Sequence, residues 1–186
     1  MGKVVIAVGS PGAGKTSVLE AANGKYKVVN VGDIITGLGI SKGHIRNRDE
    51  IRYMPNDIFV KMKSLAFTKI AKMPGNLVLD THASVEQHGR FIPGLPIKEI
   101  KKLNVVGLVY IDASTDSIIE RRKRDKTRVR EEEARTLIDT QRSVNIAVLS
   151  YYFSMLNVPL FIIDNREGKI SESRRSFLKG LKEAFD

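Results

Sequence analysis

An eight-residue segment near the N-terminus, Gly9-Ser10-Pro11-Gly12-Ala13-Gly14-Lys15-Thr16, constrains the fold of this chain more than any other feature. It satisfies the pattern G-x-x-x-x-G-K-[ST], follows an apolar run at residues 4–8 and precedes a segment whose apolar residues have helical spacing. Glycines let the backbone present a concave set of N–H donors, and a helix N-terminus favours a bound anion. The segment therefore predicts a strand, a phosphate-binding loop and a helix, in that order.

Two oxygen-bearing side chains near this loop are suited to hold a magnesium ion. Lys15 can reach the β- and γ-phosphates of a nucleotide, and the Thr16 hydroxyl can coordinate Mg²⁺. Asp80 follows the apolar run at residues 77–79, so in a parallel sheet it would face the same crevice and hold Mg²⁺ through water. These residues therefore predict a site for nucleotide phosphates with a bound Mg²⁺.

Apolar runs that alternate with helical patterns predict an α/β fold, because parallel strands need crossover connections. We expect three layers, with helices on both faces of a five-stranded parallel sheet. The strands are predicted at residues 1–8, 27–31, 76–80, 105–111 and 160–163. Helices are predicted at residues 15–23, 55–72, 114–123 and 131–156 and from about residue 170 onward. Residues 36–55 are predicted as a polar segment and residues 81–96 as a loop.

Composition excludes several classes of protein. The chain has 186 residues, 42% of them hydrophobic, which suits one domain with a sizeable core spanning residues 1–186. It has no cysteine, and its three histidines, His44, His82 and His88, are too scattered for a standard zinc site. Neither a membrane-spanning run nor a signal peptide is evident, so we expect a soluble, cytoplasmic protein.

The net charge of +10 is concentrated in two places. Residues 121–130 contain seven basic residues and one acidic residue between two predicted helices, which is typical of a lid whose arginines stabilise a moving phosphoryl group. The lid is expected at about residues 121–133, with Arg121, Arg124, Arg128 and Arg130 as catalytic residues beside Lys15. A solvated basic face is the alternative, although the block lacks the aromatic residues usual in single-stranded nucleic-acid sites.

A second basic cluster, Arg46, Arg48 and Arg52, lies in the segment that would bind the phosphoryl acceptor, about residues 32–72. Arginines bind a phosphate monoester bidentately, and such an acceptor is mostly deprotonated at neutral pH, so it needs no general base. Ion pairing within residues 48–52 is the alternative explanation.

The ordered motifs of the chain resemble those of the archaeal-type adenylate kinases, a branch of the nucleoside monophosphate kinases. The resemblance covers nearly the whole chain. It rests on the segment at residues 9–16 together with Asn30-Val31-Gly32-Asp33, Arg48-Asp49-Glu50-Ile51-Arg52, Asp80-Thr81-His82, Pro93-Gly94-Leu95-Pro96, Arg124-Asp125, Thr127-Arg128-Val129-Arg130 and Asn165-Arg166-Glu167-Gly168.

This resemblance implies the reaction ATP + AMP ⇌ 2 ADP with Mg²⁺, a P-loop kinase fold with a short arginine-rich lid, and a homotrimer. It implies that AMP lies near Gly32, Asp33, Arg48 and Arg52, and that ATP is bound by Gly9, Ser10, Pro11, Gly12, Ala13, Gly14, Lys15, Thr16 and Ser17. His82 is a further candidate contact to AMP, with a hydrogen-bonded histidine of the loop as the alternative. Two segments depart from the family pattern. Arg130 is followed by three glutamates, and residues 80–84 lack the arginine of the related Asp-Gly-Phe-Pro-Arg segment, which leaves His82 or Arg90 as substitutes.

Two other functions fit the same motifs. A small-metabolite kinase would use Asp33 as a base on a hydroxyl group. A phosphate-loop ATPase acting in RNA or ribosome assembly would explain the positive charge, although the concentration of that charge at the predicted crevice makes nucleic acid the weaker expectation.

Overall fold

The computed structural model describes residues 2–87, 89–124 and 135–186, without the side chains of Arg52 and Gln87. The strands are β1 (Lys3–Gly9), β2 (Lys27–Asn30), β3 (Leu77–Asp80), β4 (Ser84–Gln87), β5 (Arg90–Pro93), β6 (Asn104–Asp112) and β7 (Leu160–Asp164). The α-helices are α1 (Lys15–Leu19), α2 (Val31–Ser41), α3 (Asn56–Ala71), α4 (Ile97–Ile100), α5 (Thr115–Arg124), α6 (Arg135–Leu156) and α7 (Ile170–Phe185). Short 3-10 helices span Glu20–Ala22 and Arg48–Tyr53.

Five strands form one parallel sheet in the order β2-β3-β1-β6-β7, which confirms the predicted fold class. The register pairs Asp80 of β3 with Asn30 on one side and with Ala7 on the other. On the far side of β1, Gly9 pairs with Ile111 of β6. The carboxyl ends of these strands therefore meet at one edge of the sheet, where the phosphate loop begins.

Both faces of the sheet are covered, because β1 buries side chains in two directions. Val4, Ile6 and Val8 pack into a core with residues of α2, α3 and α6. Val5 and Ala7 point the other way, into a core formed with α1 and α7. This arrangement gives three layers, as alternating strands and helices require. Among the described residues, no helix has both the length and the apolar character needed to cross a membrane.

Two segments differ from the prediction. The second strand ends at Asn30, and the helix α2 follows at once, although part of this segment was predicted as polar and non-helical. The Asn30 side chain caps α2 by accepting a hydrogen bond of 3.0 Å from the Asp33 amide. Residues 81–96, predicted as a loop, contain the antiparallel hairpin β4–β5, in which Val85 pairs with Ile92. The hairpin places a second wall beside the phosphate loop.

Candidate active site

The segment at residues 9–16 folds as a compact loop between β1 and α1. Gly12 and Gly14 have φ values of +91° and +81°, a left-handed conformation that strongly favours glycine. The loop is closed by a 3.0 Å hydrogen bond from the Ala13 amide to the Ser10 carbonyl. Its backbone adopts the concave form that the glycine spacing predicts.

Side chains from two distant segments hold the carbonyl groups of this loop. Arg122 Nε donates to the Pro11 carbonyl at 2.9 Å. Arg121 Nη1 and Asn165 Nδ2 both donate to the Ala13 carbonyl, at 3.1 and 2.8 Å. Because the C=O and N–H groups of a peptide point in opposite directions, fixing these carbonyls turns the N–H groups that follow them the other way. The loop thus presents donors for an anion without rearrangement.

Lys15 and Asp80 form an ion pair at the carboxyl edge of the sheet. Only about a tenth of either side chain is exposed, 11% for Lys15 and 10% for Asp80. Asn30 Nδ2 donates to the other Asp80 oxygen at 2.6 Å. The Asp80 carboxylate is an oxygen ligand of the kind that Mg²⁺ prefers, and the exposed Thr16 directly follows Lys15. The residues present therefore fit a phosphate-bound magnesium ion.

The predicted acceptor residues lie beside this pair. Asn30 caps α2 and bonds Asp80, so it links the start of α2 to the site. Arg48 forms an ion pair with Asp33, and its guanidinium lies against Gly32, where an added Cβ would be 3.2 Å from Nη2. The backbone of Arg52 belongs to the 3-10 helix at Arg48–Tyr53, and its side chain is outside the described part. The structure thus brings Gly32, Asp33 and Arg48 together.

His82 lines a cavity with Pro11 of the phosphate loop. It follows β3 by two residues and precedes the hairpin. A Cβ added to Gly94 would overlap the His82 carbonyl, so this close approach of the backbone requires glycine. His82 therefore lies at a cavity beside the phosphate loop.

The predicted lid residues Arg121 and Arg124 form the last turn of α5. Besides its bond to Ala13, Arg121 donates from Nη2 to the Asn165 carbonyl at 2.9 Å. Both arginines pair with Glu167, at 3.1 Å for Arg121 and 3.2 Å for Arg124, and these bonds lower the pKa of Glu167. Arg128 and Arg130 lie outside the described residues. Arg121 is thus already engaged with the loop.

A polar network lies beneath the loop, between β6 and α6. Arg142 binds both oxygens of Asp112, at 2.9 and 2.7 Å, and these bonds raise the pKa of its guanidinium. The Tyr110 hydroxyl donates to Asp112 at 3.3 Å. Burial raises the pKa of Tyr110 to about 12, so it stays neutral. The network connects β6 to α6 at the edge of the sheet.

Asn145 extends this network from α6 to the hairpin. Only 1% of its surface is exposed. Its Nδ2 donates to Ser10 Oγ at 3.2 Å, and its Oδ1 accepts bonds from the Ser84 amide and hydroxyl at 3.1 and 2.6 Å. One buried amide therefore ties the phosphate loop to β4, the strand that follows His82.

Substituting leucine for Asn145 should destabilise the protein by about 2–4 kcal/mol, because it removes three bonds and leaves a buried amide N–H of Ser84 without an acceptor. Urea unfolding followed by circular dichroism measures this change. Ser143→Ala, at an exposed position on the same helix, is the matched control and should cost less than about 0.5 kcal/mol. Equal free energies of unfolding for the two variants would contradict the assigned role.

Three of these residues were not found by sequence reasoning. Arg122, Asn145 and Asn165 were given no role, although Asn165 belongs to one of the motifs that carried the resemblance. Amides and arginines occur in so many settings that their type alone gives little signal. The i, i+4 spacing of Gln141 and Asn145 within the apolar stripe of α6 is the one available sign that buried polar residues lie there.

Comparison with solved structures supports the same architecture. The shikimate kinase from Acinetobacter baumannii superimposes with a TM-score of 0.62 and 12% sequence identity, covering 98% of this chain and 94% of that one. The shikimate kinase from Bacteroides thetaiotaomicron gives 0.60 and 14%, covering 96% and 98%. At such low identity these similarities establish the fold alone.

Sequence comparison identifies the family. A family model described as an AAA domain matches residues 8–139. An adenylate kinase from Methanothermobacter thermautotrophicus is 31% identical over 185 residues, covering 97% of this chain and all of that protein. Another from Pyrococcus horikoshii is 34% identical over 172 residues, covering 89% and 88%. The phosphate loop, the parallel sheet and these relatives together show that the chain belongs to the adenylate kinase family.

Proposed function

We propose that this protein is an adenylate kinase that transfers the γ-phosphoryl group of Mg-ATP to AMP and forms two ADP. The observation that carries the proposal is the preformed phosphate loop with Lys15 paired to Asp80, in a chain related to adenylate kinases along nearly its whole length. The other two candidates have less support. Asp33, the base of a small-metabolite kinase, is engaged by Arg48, and the RNA factor has only the net charge in its favour.

On the donor side, ATP would lie on residues 9–17, with its phosphates against the loop amides. Lys15 would move part of its interaction from Asp80 to the β- and γ-phosphate oxygens. Mg²⁺, held by the Thr16 hydroxyl and near Asp80, would neutralise charge on the transferred group. The fixed loop carbonyls support this assignment, because donors that need no reorganisation stabilise developing charge most effectively.

On the acceptor side, AMP would bind in the segment at residues 32–72, with its phosphate near Arg48 and Arg52. The exposed ion pair of Arg48 with Asp33 supports this placement, because a phosphate dianion can replace Asp33 as the partner of the guanidinium. His82 would approach the acceptor from the opposite side. A phosphate monoester needs no general base, in keeping with the donor groups present.

The arginines of the proposed lid at residues 121–133 would act in two ways. Arg121 supports the loop through Ala13, and Arg124, which is two-thirds exposed, is placed to reach a bound nucleotide after leaving Glu167. Arg128 and Arg130 are proposed to contact the phosphates. We further propose a cytoplasmic protein with one domain over residues 1–186 that assembles as a homotrimer. The homotrimer follows from the resemblance to the archaeal-type adenylate kinases.

A coupled assay for ADP, with AMP, other nucleoside monophosphates and hydroxylic acceptors, tests the reaction directly. ADP formed from ATP and AMP at a rate well above that with other acceptors is the expected result. No ADP from AMP would refute the proposal. Salt-dependent RNA binding that persists in Lys15→Ala, without AMP turnover, would support the RNA factor instead.

Replacing Arg48 with alanine should raise the KM for AMP about tenfold, because a charge-assisted bond to the acceptor phosphate contributes about 1.5–3 kcal/mol. The KM for ATP should change less than about twofold, since the ATP phosphates lie on the loop. Arg175→Ala, at an exposed arginine of α7, is the matched control. Equal increases in both KM values for Arg48→Ala would contradict its placement on the acceptor side.

A further inference from the structure

A small cavity opens between the phosphate loop, the hairpin and α6. Its volume is about 100 Å³, and it is lined by Pro11, His82, Ser84, Val85, Glu86 and Gln141. Three separate elements contribute these walls, so the cavity exists only where the loop, the segment after β3 and α6 converge. Asn145 fixes that convergence through Ser10 and Ser84.

Gln141 is the unusual member of this lining. Only 2% of its surface is exposed, yet within residues 2–87, 89–124 and 135–186 its side-chain amide has no hydrogen-bond partner. Asn145, one helical turn later on the same face of α6, is equally buried and makes three hydrogen bonds. Within the described ranges, the fully buried polar atoms that lack a partner do not include the Gln141 amide, so this amide reaches the space of the cavity, where a ligand can bond it.

The position of the cavity indicates which part of a ligand would meet Gln141. Pro11 belongs to the loop that holds the donor phosphates, and reacting atoms must approach to about 3–3.5 Å for transfer. The part of an acceptor nucleotide nearest that loop is its phosphate, with the base farther away. Glu86, the anionic residue in the lining, accepts a 2.6 Å bond from the Gly89 amide in the hairpin turn.

We propose that Gln141 binds the acceptor phosphate, donating its side-chain N–H to a phosphate oxygen as AMP enters the cavity beside His82. This inference rests on the proposed function. A neutral amide would orient the attacking oxygen through a directed hydrogen bond. Because it carries no net charge, it would not add to the electrostatic attraction that binds the phosphate. Arg48 would hold the phosphate by charge, and Gln141 would set its direction.

The test compares Gln141→Leu and Gln141→Glu with the wild-type protein. Leucine has a similar volume and no hydrogen-bonding group, so the KM for AMP should rise about tenfold while that for ATP changes less than about twofold. Glutamate places a like charge against the phosphate, and the KM for AMP should rise further, by about 100-fold. Ser143→Ala, exposed on the same helix, is the matched control.

Thermal unfolding separates a binding role from a structural one. Gln141→Leu should unfold at the same or a higher temperature, because the amide that it removes lines the cavity and makes no hydrogen bond to another described residue. A lower melting temperature with unchanged KM values would overturn the inference, and so would equal increases for AMP and ATP. If wild-type protein forms ADP from AMP and Gln141→Leu behaves identically, this inference alone fails. If wild-type protein forms no ADP from AMP, the proposed function fails, and this inference fails as well.

Discussion

Lys15→Ala is expected to lower kcat by about 10²- to 10³-fold, the loss that follows removal of one preorganised electrostatic donor. The ammonium group lies at the edge of the sheet beside Asp80, where about a tenth of its surface is exposed. Its interaction with the phosphates strengthens as charge moves during transfer, so the effect should fall on kcat rather than on the KM for ATP. Steady-state kinetics with both substrates measure this division.

The loss of stability caused by removing the partner of Asp80 must be separated from the loss of catalysis. Removing Lys15 leaves the buried Asp80 carboxylate with the Asn30 amide as its remaining described bond, so we also expect a lower melting temperature. Assays should therefore be run well below that temperature, with circular dichroism to verify folding. Lys25→Ala, an exposed lysine, is the control and should retain full activity. A kcat unchanged in Lys15→Ala would refute the assigned role of the loop.

Gly14→Ala should abolish most ATP binding. The residue has φ +81°, and a Cβ at this position would overlap the Asn165 amide nitrogen and lie 3.2 Å from Arg121 Nη1. Left-handed backbone costs a residue with a Cβ about 1–2 kcal/mol, and displacing Asn165 would also release the Ala13 carbonyl. We expect the Kd for ATP, measured by calorimetry, to rise at least about 100-fold.

Gly24 provides a control for the backbone term alone. Its φ is +76°, but nothing lies within 4 Å of an added Cβ. Gly24→Ala should therefore destabilise the fold by about 1–2 kcal/mol and leave the Kd for ATP unchanged. If Gly14→Ala and Gly24→Ala weaken ATP binding equally, the packing of Asn165 against the phosphate loop is not what orders that loop.

Strands and the phosphate loop were predictable because their signals are local. The β1 run is buried on both faces, and the loop glycines follow it at fixed spacing. The helix α2 was missed because Gly32, Gly37 and Gly39 lower helix propensity. Packing overrides that cost: a Cβ on Gly39 would lie 2.8 Å from Ile45 Cγ1, so glycine is needed where α2 meets the segment that follows it.

The hairpin was missed for a related reason. Pro93 and Gly94 dominate the local pattern and predict a loop. Pro93 is nevertheless the last residue of β5, a position where the missing N–H of proline costs the hairpin little hydrogen bonding. The pairing of Val85 with Ile92 depends on the register of two four-residue strands, too short for an alternation to be evident. The walls that it provides beside His82 therefore emerge only in three dimensions.

The residues of the site also divide into those that local sequence indicates and those that depend on the fold. The chemistry of Lys15, Thr16 and Asp80 is predictable from their residue types and their positions in the sequence. Arg121 belongs to the predicted lid, but its contact with Ala13 depends on how α5 docks. Gln141 and Asn145 differ in role although they share residue class, helix face and burial. Their surroundings distinguish them: Gln141 lines a cavity, whereas Asn145 bonds Ser10 and Ser84.

The donors that fix the loop carbonyls have a consequence for the order of folding. Arg122 is 111 residues from Pro11, and Asn165 is 152 residues from Ala13. Contacts of such separation form late, because the chain between them must first be ordered. During synthesis the loop residues leave the ribosome before Asn165, which lies 152 residues after Ala13. The phosphate loop should therefore reach its nucleotide-binding conformation in one of the last folding steps.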